Sequence, residues 1–146
     1  MNEKIKEQIR MMNYAVDGIV SVYSVLAKKC GLSYNGLMVL YVIEEYRKCT
    51  QKHICQILQL SKSTVHSILL DFVKNKYVIL KTEEGNKKEK LITLTPIGEI
   101  YLEEVMNKVH KVEIGAMKKI GENMCLQLVK SNIAFYKALK EEAENE

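Results

Sequence analysis

The sequence is short of chain breakers, with one proline and seven glycines in 146 residues. Architectures made of many tight turns, such as β-sandwiches and propellers, usually need more of both, so long uninterrupted elements are expected. No apolar run approaches the roughly 20 residues that span a bilayer. The opening decapeptide MNEKIKEQIR alternates charge with isoleucine and does not lead into the apolar core of an export signal. The expectation is a cytoplasmic chain with no membrane partner. The four cysteines, Cys30, Cys49, Cys55 and Cys125, form no CxxC pair and read as reduced thiols. A glycine-rich phosphate loop, a nucleophile elbow and a paired acid–base set are all missing, and three scattered histidines make poor triad material. Neither an enzyme nor a cofactor is expected.

What is present is the composition of a folded globular chain, 47% hydrophobic and 27% charged. There is no internal repeat, low-complexity tract or linker, so residues 1–146 read as one domain. The net charge of +4 is unevenly placed. Residues 1–45 are neutral and residues 93–146 are net acidic. Residues 46–92 carry ten basic groups (Arg47, Lys48, Lys52, Lys62, Lys74, Lys76, Lys81, Lys87, Lys88, Lys90) against four acidic ones. A positive middle between neutral and acidic flanks is the electrostatic outline of a nucleic-acid footprint.

The periodicity supplies the elements. Ile5, Ile9, Met12, Val16, Ile19, Tyr23 and Leu26 fall at steps of three and four, the stripe of an amphipathic helix ending near Cys30 and Gly31. Ser33 can cap a second helix whose MVLYVI run is apolar nearly all round, as in a buried central helix. Thr50 caps a short third helix that breaks at Gln59-Leu60, and Ser61 opens a fourth with Val65, Ile68, Leu69, Phe72 and Val73 inward. Two short helices joined by so short a turn are a helix-turn-helix. After Tyr77 the period becomes extended: VILKT and KLITLT flank EEGNKKE, a β-hairpin turning at Gly85-Asn86 with a basic tip. Thr95 and Pro96 then open a long helix with Ile97, Tyr101, Val105, Val109 and Val112 on one stripe. Gly121 interrupts it, and a last helix carries Met124, Leu128, Ile133, Tyr136 and Leu139. The fold class is mainly α with a small β-hairpin wing (α+β). The first and last helices carry more apolar surface than so small a core can cover, which points to a homodimer.

The stretch TQKHICQILQLSKSTVHSILLDFVKNKYV, with a basic wing and LITLTPIG after it, resembles the MarR family of winged helix-turn-helix regulators. SKSTVHSILL and LITLTPIG are its most specific parts. The resemblance covers nearly the whole chain, with dimerisation helices at about 1–30 and 96–146 and the winged helix-turn-helix at about 33–95. It implies a double-stranded DNA-binding transcriptional regulator, a repressor released by a small molecule or other signal. Three departures stand out. Gln59 and Lys76 occupy positions where the family often has glycine, and Asn86, Lys87 and Lys88 stand where many wings carry Asp-x-Arg. Lysine lacks the planar fork of arginine, so a weaker minor-groove contact is expected from this wing.

In such a fold the leading turn of the recognition helix meets base edges in the major groove. That assigns Lys62, Ser63, Thr64, His66 and Ser67 to DNA, with Ser61 kept for capping. Lys74, Lys87, Lys88 and Lys90 are the candidate phosphate contacts. A dimer would set two such helices about 34 Å apart and favour a pseudo-palindromic operator.

Other readings use other residues. Cys49, His53, Cys55 and His66 are the only cluster that hints at metal, but they lack a complete ligand spacing, and no metal is expected. Cys30, beside Lys28 and Lys29, is the candidate for a thiol sensor. A small-molecule effector would lie between the dimer helices and the DNA-binding lobe, near Met11, Tyr14, Tyr34, Met38, Tyr41 and Tyr46. A winged-helix module that binds protein and not DNA is disfavoured by the lysine-rich middle, because lysine is depleted at protein interfaces.

Overall fold

The computed structural model describes residues 2–83 and 85–146, leaving out the side chains of Glu83, Asn86, Lys87 and Lys88. In chain order the elements are α1 (Glu3–Lys29), α2 (Tyr34–Tyr46), β1 (Cys49–Thr50), α3 (Gln51–Leu58), α4 (Lys62–Lys74), β2 (Val78–Glu83), β3 (Asn86–Leu94), α5 (Pro96–Ile120) and α6 (Glu122–Glu144). They form two compact units, Met1–Met106 and Asn107–Glu146, and α5 runs through the boundary.

The first unit is built around α2. Leu37, Val39, Leu40, Val42 and Ile43 are buried on several sides of this helix, as its all-round apolar sequence predicts. Ile54 of α3, Val65, Leu69 and Phe72 of α4, Val78 and Ile92 of the sheet, and Leu102, Val105 and Met106 of α5 complete this core. Short polar side chains start the helices where the sequence suggests. Ser33 accepts a hydrogen bond from Gly36 N at 3.0 Å, and Thr50 accepts one from His53 N at 3.1 Å. Each satisfies one backbone N–H left orphaned at a helix start, a contribution of about 1 kcal/mol.

The sheet is antiparallel with strand order β1-β3-β2. The expected hairpin is there, with Val78 opposite Leu94 and Thr82 opposite Lys90. Gly85, at φ 86°, takes the left-handed conformation a tight turn requires. Two-residue β1 was not expected: it pairs Cys49 with Ile92 and Thr50 with Leu91, tying the start of α3 to the wing.

Thr95 and Gly98 lock α5 to the end of α4. The Thr95 hydroxyl accepts from Gly98 N at 2.9 Å and donates to Lys76 O at 2.6 Å, while Thr95 N donates to Tyr77 O at 3.0 Å. A Cβ on Gly98 would lie 1.8 Å from Tyr77 O, so only glycine permits this approach. The lock also sets the rotation of α5. Its buried face holds Gly98, Leu102, Val105 and Met106, and Ile97, on the same expected stripe as Val105, is 57% exposed. Val73 on α4, expected inward, is exposed, and so is Val112 of the α5 stripe. For Val73 the cause is that the buried row Val65-Leu69-Phe72 is narrower than the predicted arc.

In the second unit, α6 starts at Glu122, just after its N-cap Gly121, and has no buried residue. Cys125 Sγ donates to Met117 O at 3.3 Å, a contact that joins α6 to the last turn of α5. Among the described residues no helix is long and apolar enough to cross a membrane.

Candidate nucleic-acid interface

The turn between α3 and α4 is three residues long. Gln59 takes the left-handed conformation (φ 52°, ψ 40°) and its backbone N–H returns to Cys55 O, as does that of Leu60 at 3.3 Å. Ser61 then caps α4 by accepting from Thr64 N at 3.2 Å. The same hydroxyl lies 2.8 Å from Thr64 Oγ1 and 3.2 Å from Ser63 Oγ. The cap thus engages the hydroxyls of both Ser63 and Thr64, Thr64 more closely, while Ser63 stays exposed.

With Val65, Leu69 and Phe72 buried and Thr64, His66 and Ile68 half-buried, the other side of α4 faces outward. Lys62, Ser63, Ser67, Leu70 and Lys74 are exposed. Ser63, Ser67, Leu70 and Lys74 form one row at helical spacing. Leu70, 48% exposed, was missed in the sequence because an apolar residue in a helix reads as core. On an outward face it is an apolar surface of the kind that meets a thymine methyl. Lys74 lies in the last turn, where its charge also complements the negative helix end.

Lys62 and His66 form a second row, one turn apart. They line a cleft of about 560 Å³ with Gln51, Lys52 and Cys55 of α3 and Glu89 and Lys90 of β3. Three lysines against one carboxylate make this cleft net positive. Lys52 is turned toward Glu89 at 3.4 Å, an exposed pair worth well under about 1 kcal/mol. Lys90 is exposed on the wing. The side chains of Lys87 and Lys88 lie outside the described residues.

Gln51 bridges the two helices. Its Oε1 is 3.3 Å from His66 Nδ1, and its Nε2 donates to Lys62 O at 3.3 Å. Sequence reasoning missed it, because a contact across 15 residues and a turn leaves no local spacing to read.

The remaining candidates are scattered. Cys49 is buried in β1, and burial pushes its thiol up to about 11. A thiol that resists ionisation is a poor metal ligand. The His53 ring packs edge-on against Tyr46, with centroids 4.8 Å apart. Among the described residues no group of three or more His, Cys, Asp or Glu could hold a metal ion. Met11 and Tyr14 are exposed on α1, Tyr34 opens α2, Tyr46 ends it, and Tyr41 packs edge-on against Tyr23 at 6.5 Å. Tyr34 and Tyr46 are 12 residues apart on one helix, about 18 Å, so Met11, Tyr14, Tyr34, Met38, Tyr41 and Tyr46 do not gather around one cavity of a single chain. A different pocket of about 400 Å³ lies behind α4, lined in part by Cys30, Asp71, Tyr77 and Tyr101. There the Tyr77 and Tyr101 rings stack at 3.9 Å, and burial, helped by Tyr77 and Cys30, pushes the Tyr101 hydroxyl up to about 12.

The profile of the MarR family matches residues 31–89, the stretch from the start of α2 to the wing. The HTH-type transcriptional regulator SarZ of Staphylococcus epidermidis is 30% identical over 98 residues, spanning 66% of this chain and 66% of SarZ. The fold is similar to that of a MarR family regulator from Neisseria meningitidis, with a TM-score of 0.81 at 21% identity over 100% of both chains. It is also similar to overoxidized AbfR bound to DNA, a protein of Staphylococcus epidermidis, with a TM-score of 0.69 at 18% identity over 95% of this chain and 99% of that one.

Proposed function

This chain belongs to the MarR family of transcription regulators, and on that premise we propose that it is a homodimeric repressor of the cytoplasm that binds a pseudo-palindromic duplex and is released by a small-molecule effector. The observation that carries the reading is the outward leading turn of α4. Lys62, Ser63 and Ser67 stand exposed on a helix whose opposite face is sealed in the core by Val65, Leu69 and Phe72. A helix held this way can enter the major groove without giving up packing. Lys62 is assigned to guanine acceptors or phosphate, Ser63 and Ser67 to adaptable contacts, His66 to a base edge, and Thr64 to the cap with its methyl toward the groove. Lys74, Lys90 and, on the wing, Lys87 and Lys88 take phosphates. AbfR, whose fold is similar, has been solved bound to DNA, which supports the same use of this scaffold.

The effector would bind beside part of the set Met11, Tyr14, Tyr34, Met38, Tyr41 and Tyr46, toward one end of α2, where a second subunit completes a pocket. It shifts DNA affinity only to the extent that it binds one lobe spacing better than another.

Gel shifts across a salt series test the reading. Specific binding should weaken steeply with salt, with a slope that falls by about one unit in Lys90→Ala. Lys62→Ala should cost roughly 1–3 kcal/mol and relax preference at one position. Equal, salt-insensitive affinity for any duplex would overturn it.

A further inference from the structure

We propose that Gln51 is a positioning residue that fixes the neutral His66 imidazole in one tautomer, with its proton on Nδ1 and its lone pair on Nε2 facing the cleft, so that His66 selects, on the strand it meets, a base whose major-groove edge offers an amino group. The inference rests on α4 being the recognition helix, and it names what one residue of that helix reads.

The argument runs outward from the backbone. Lys62 O is a carbonyl and can only accept, so the end of the Gln51 amide 3.3 Å from it is the NH₂. The flipped amide would set two oxygens against each other. With Nε2 committed to Lys62, Oε1 is the atom 3.3 Å from His66 Nδ1. An amide oxygen can only accept, so Nδ1 carries the hydrogen. A neutral imidazole has one donor and one acceptor, which leaves Nε2 as the acceptor. The partners of Gln51 are a main-chain atom of α4 and a side chain of α4 one turn later, so the arrangement moves with the recognition helix.

The groups facing His66 from the neighbouring elements are Lys52 and Cys55 of α3, Lys62 of its own helix, and Glu89 and Lys90 of β3. Lysine is a donor without acceptor capacity, and Lys52 is turned toward Glu89. A ring nitrogen that accepts therefore adds to the cleft what its lysines lack. In the major groove adenine N6 and cytosine N4 donate, while guanine N7 and O6 only accept. His66 fixed in this tautomer favours adenine or cytosine at its position and rejects guanine, whose acceptors would face a lone pair. Lys62, a donor one turn earlier, has the opposite preference.

Two measurements test this on the full chain. In the first, NMR of isotope-labelled histidine at alkaline pH reports which nitrogen of His66 is protonated, without DNA. The expectation is Nδ1–H in the native chain and in Gln51→Glu, which keeps an acceptor, with Nε2–H gaining population in Gln51→Leu. Nε2–H in the native chain, or no change in Gln51→Leu, overturns the positioning role. In the second, each protein selects duplexes from a random pool. The native chain should prefer adenine or cytosine about tenfold at one position per half-site. Gln51→Leu should lose most of that preference while keeping the others, and Gln51→Glu should retain it at lower overall affinity. Unchanged selection by Gln51→Leu overturns base reading through His66. If no duplex is selected at all, the regulatory reading and base selection fail together, while the NMR result still decides the role of Gln51.

Discussion

Between Tyr34 and Met106 the aliphatic side chains of α2 and the inner rows of α3, α4, the sheet and α5 are buried within one chain. By contrast α6 buries nothing, and α1 buries only Ala27. Both helices are nonetheless rich in apolar residues: Ile5, Ile9, Val16 and Ile19 on α1, and Leu128, Ile133, Tyr136 and Leu139 on α6, are exposed. The difference separates two sources of stability. The winged region is held by its own core, and its stability belongs to the single chain. In the proposed homodimer the faces of the long helices would become stabilising once a second copy covers them, so their contribution would depend on concentration.

The comparison breaks first at its buried end. Leu69→Ala removes a fully buried side chain from beneath the recognition helix and should cost 2–5 kcal/mol, within the range of about 2–5 for such truncations. Denaturant unfolding checks it, and the loss should be the same at low and high protein concentration. A loss that shrinks as concentration rises would mean that the winged core also relies on its partner.

Ile133→Glu strikes the other region. It puts a carboxylate on an exposed apolar stripe of α6 and leaves the winged core untouched. Sedimentation should show a monomer that keeps its helical signal, and duplex affinity should fall about 100-fold, roughly 2.7 kcal/mol, because two half-sites no longer act together. A variant that remains dimeric would show that α6 is not the covering face.

The thiols sharpen the contrast. Cys49 lies in the winged core with its pKa raised from 9.0 to about 11 by burial. Alkylation near pH 8, followed by mass spectrometry, should therefore be about 100-fold slower at Cys49 than at an ordinary exposed thiol, in line with the smaller thiolate fraction. The linkage has a definite sign. From about pH 9 to 11 the unfolded chain loses the Cys49 proton and the folded chain keeps it, so stability falls as pH rises through that window. Equal labelling of Cys49 and Cys125 would mean that the β1–β3 edge opens readily.

Most of this fold was legible in the sequence, because it is written in local patterns. The stripe of α1, the apolar run of α2, the Ser33, Thr50, Ser61 and Thr95 caps and the alternation of the wing each need only neighbours in sequence. What could not be read depends on tertiary placement. Two-residue β1 has no period, and it exists because Cys49 meets Ile92 across 43 residues. The rotation of α5 is set by Gly98 against Tyr77 O, which leaves Ile97 exposed although Val105 of the same stripe is buried. On the recognition helix the residue types pointed to Lys62, Ser63, His66 and Ser67, but the cap that occupies Thr64 and the bridge from Gln51 to His66 are three-dimensional facts.

The smallest predicted effect concerns the backbone. Gln59 (φ 52°) and Lys76 (φ 63°) adopt left-handed conformations at the two positions where the family resemblance leads one to expect glycine. A side chain there costs roughly 1–2 kcal/mol in the folded state. Glycine would relieve that strain but would also give the unfolded chain more freedom, worth roughly 0.5–1 kcal/mol. Lys76→Gly should therefore raise stability by only about 0.5 kcal/mol, while removing a positive charge at the exit of the recognition helix and weakening duplex binding a few-fold. Gln59→Gly should give the same small gain with no change in the salt dependence of binding. In the α5–α6 unit the equivalent requirement is met differently. Gly121 sits at φ 83°, ψ 161°, a region essentially closed to other residues, so Gly121→Ala should destabilise rather than cost nothing. If Lys76→Gly stabilised the chain and left DNA affinity unchanged, the strain at that position would have no functional return, and the turn after α4 would have to be read as a tolerated defect.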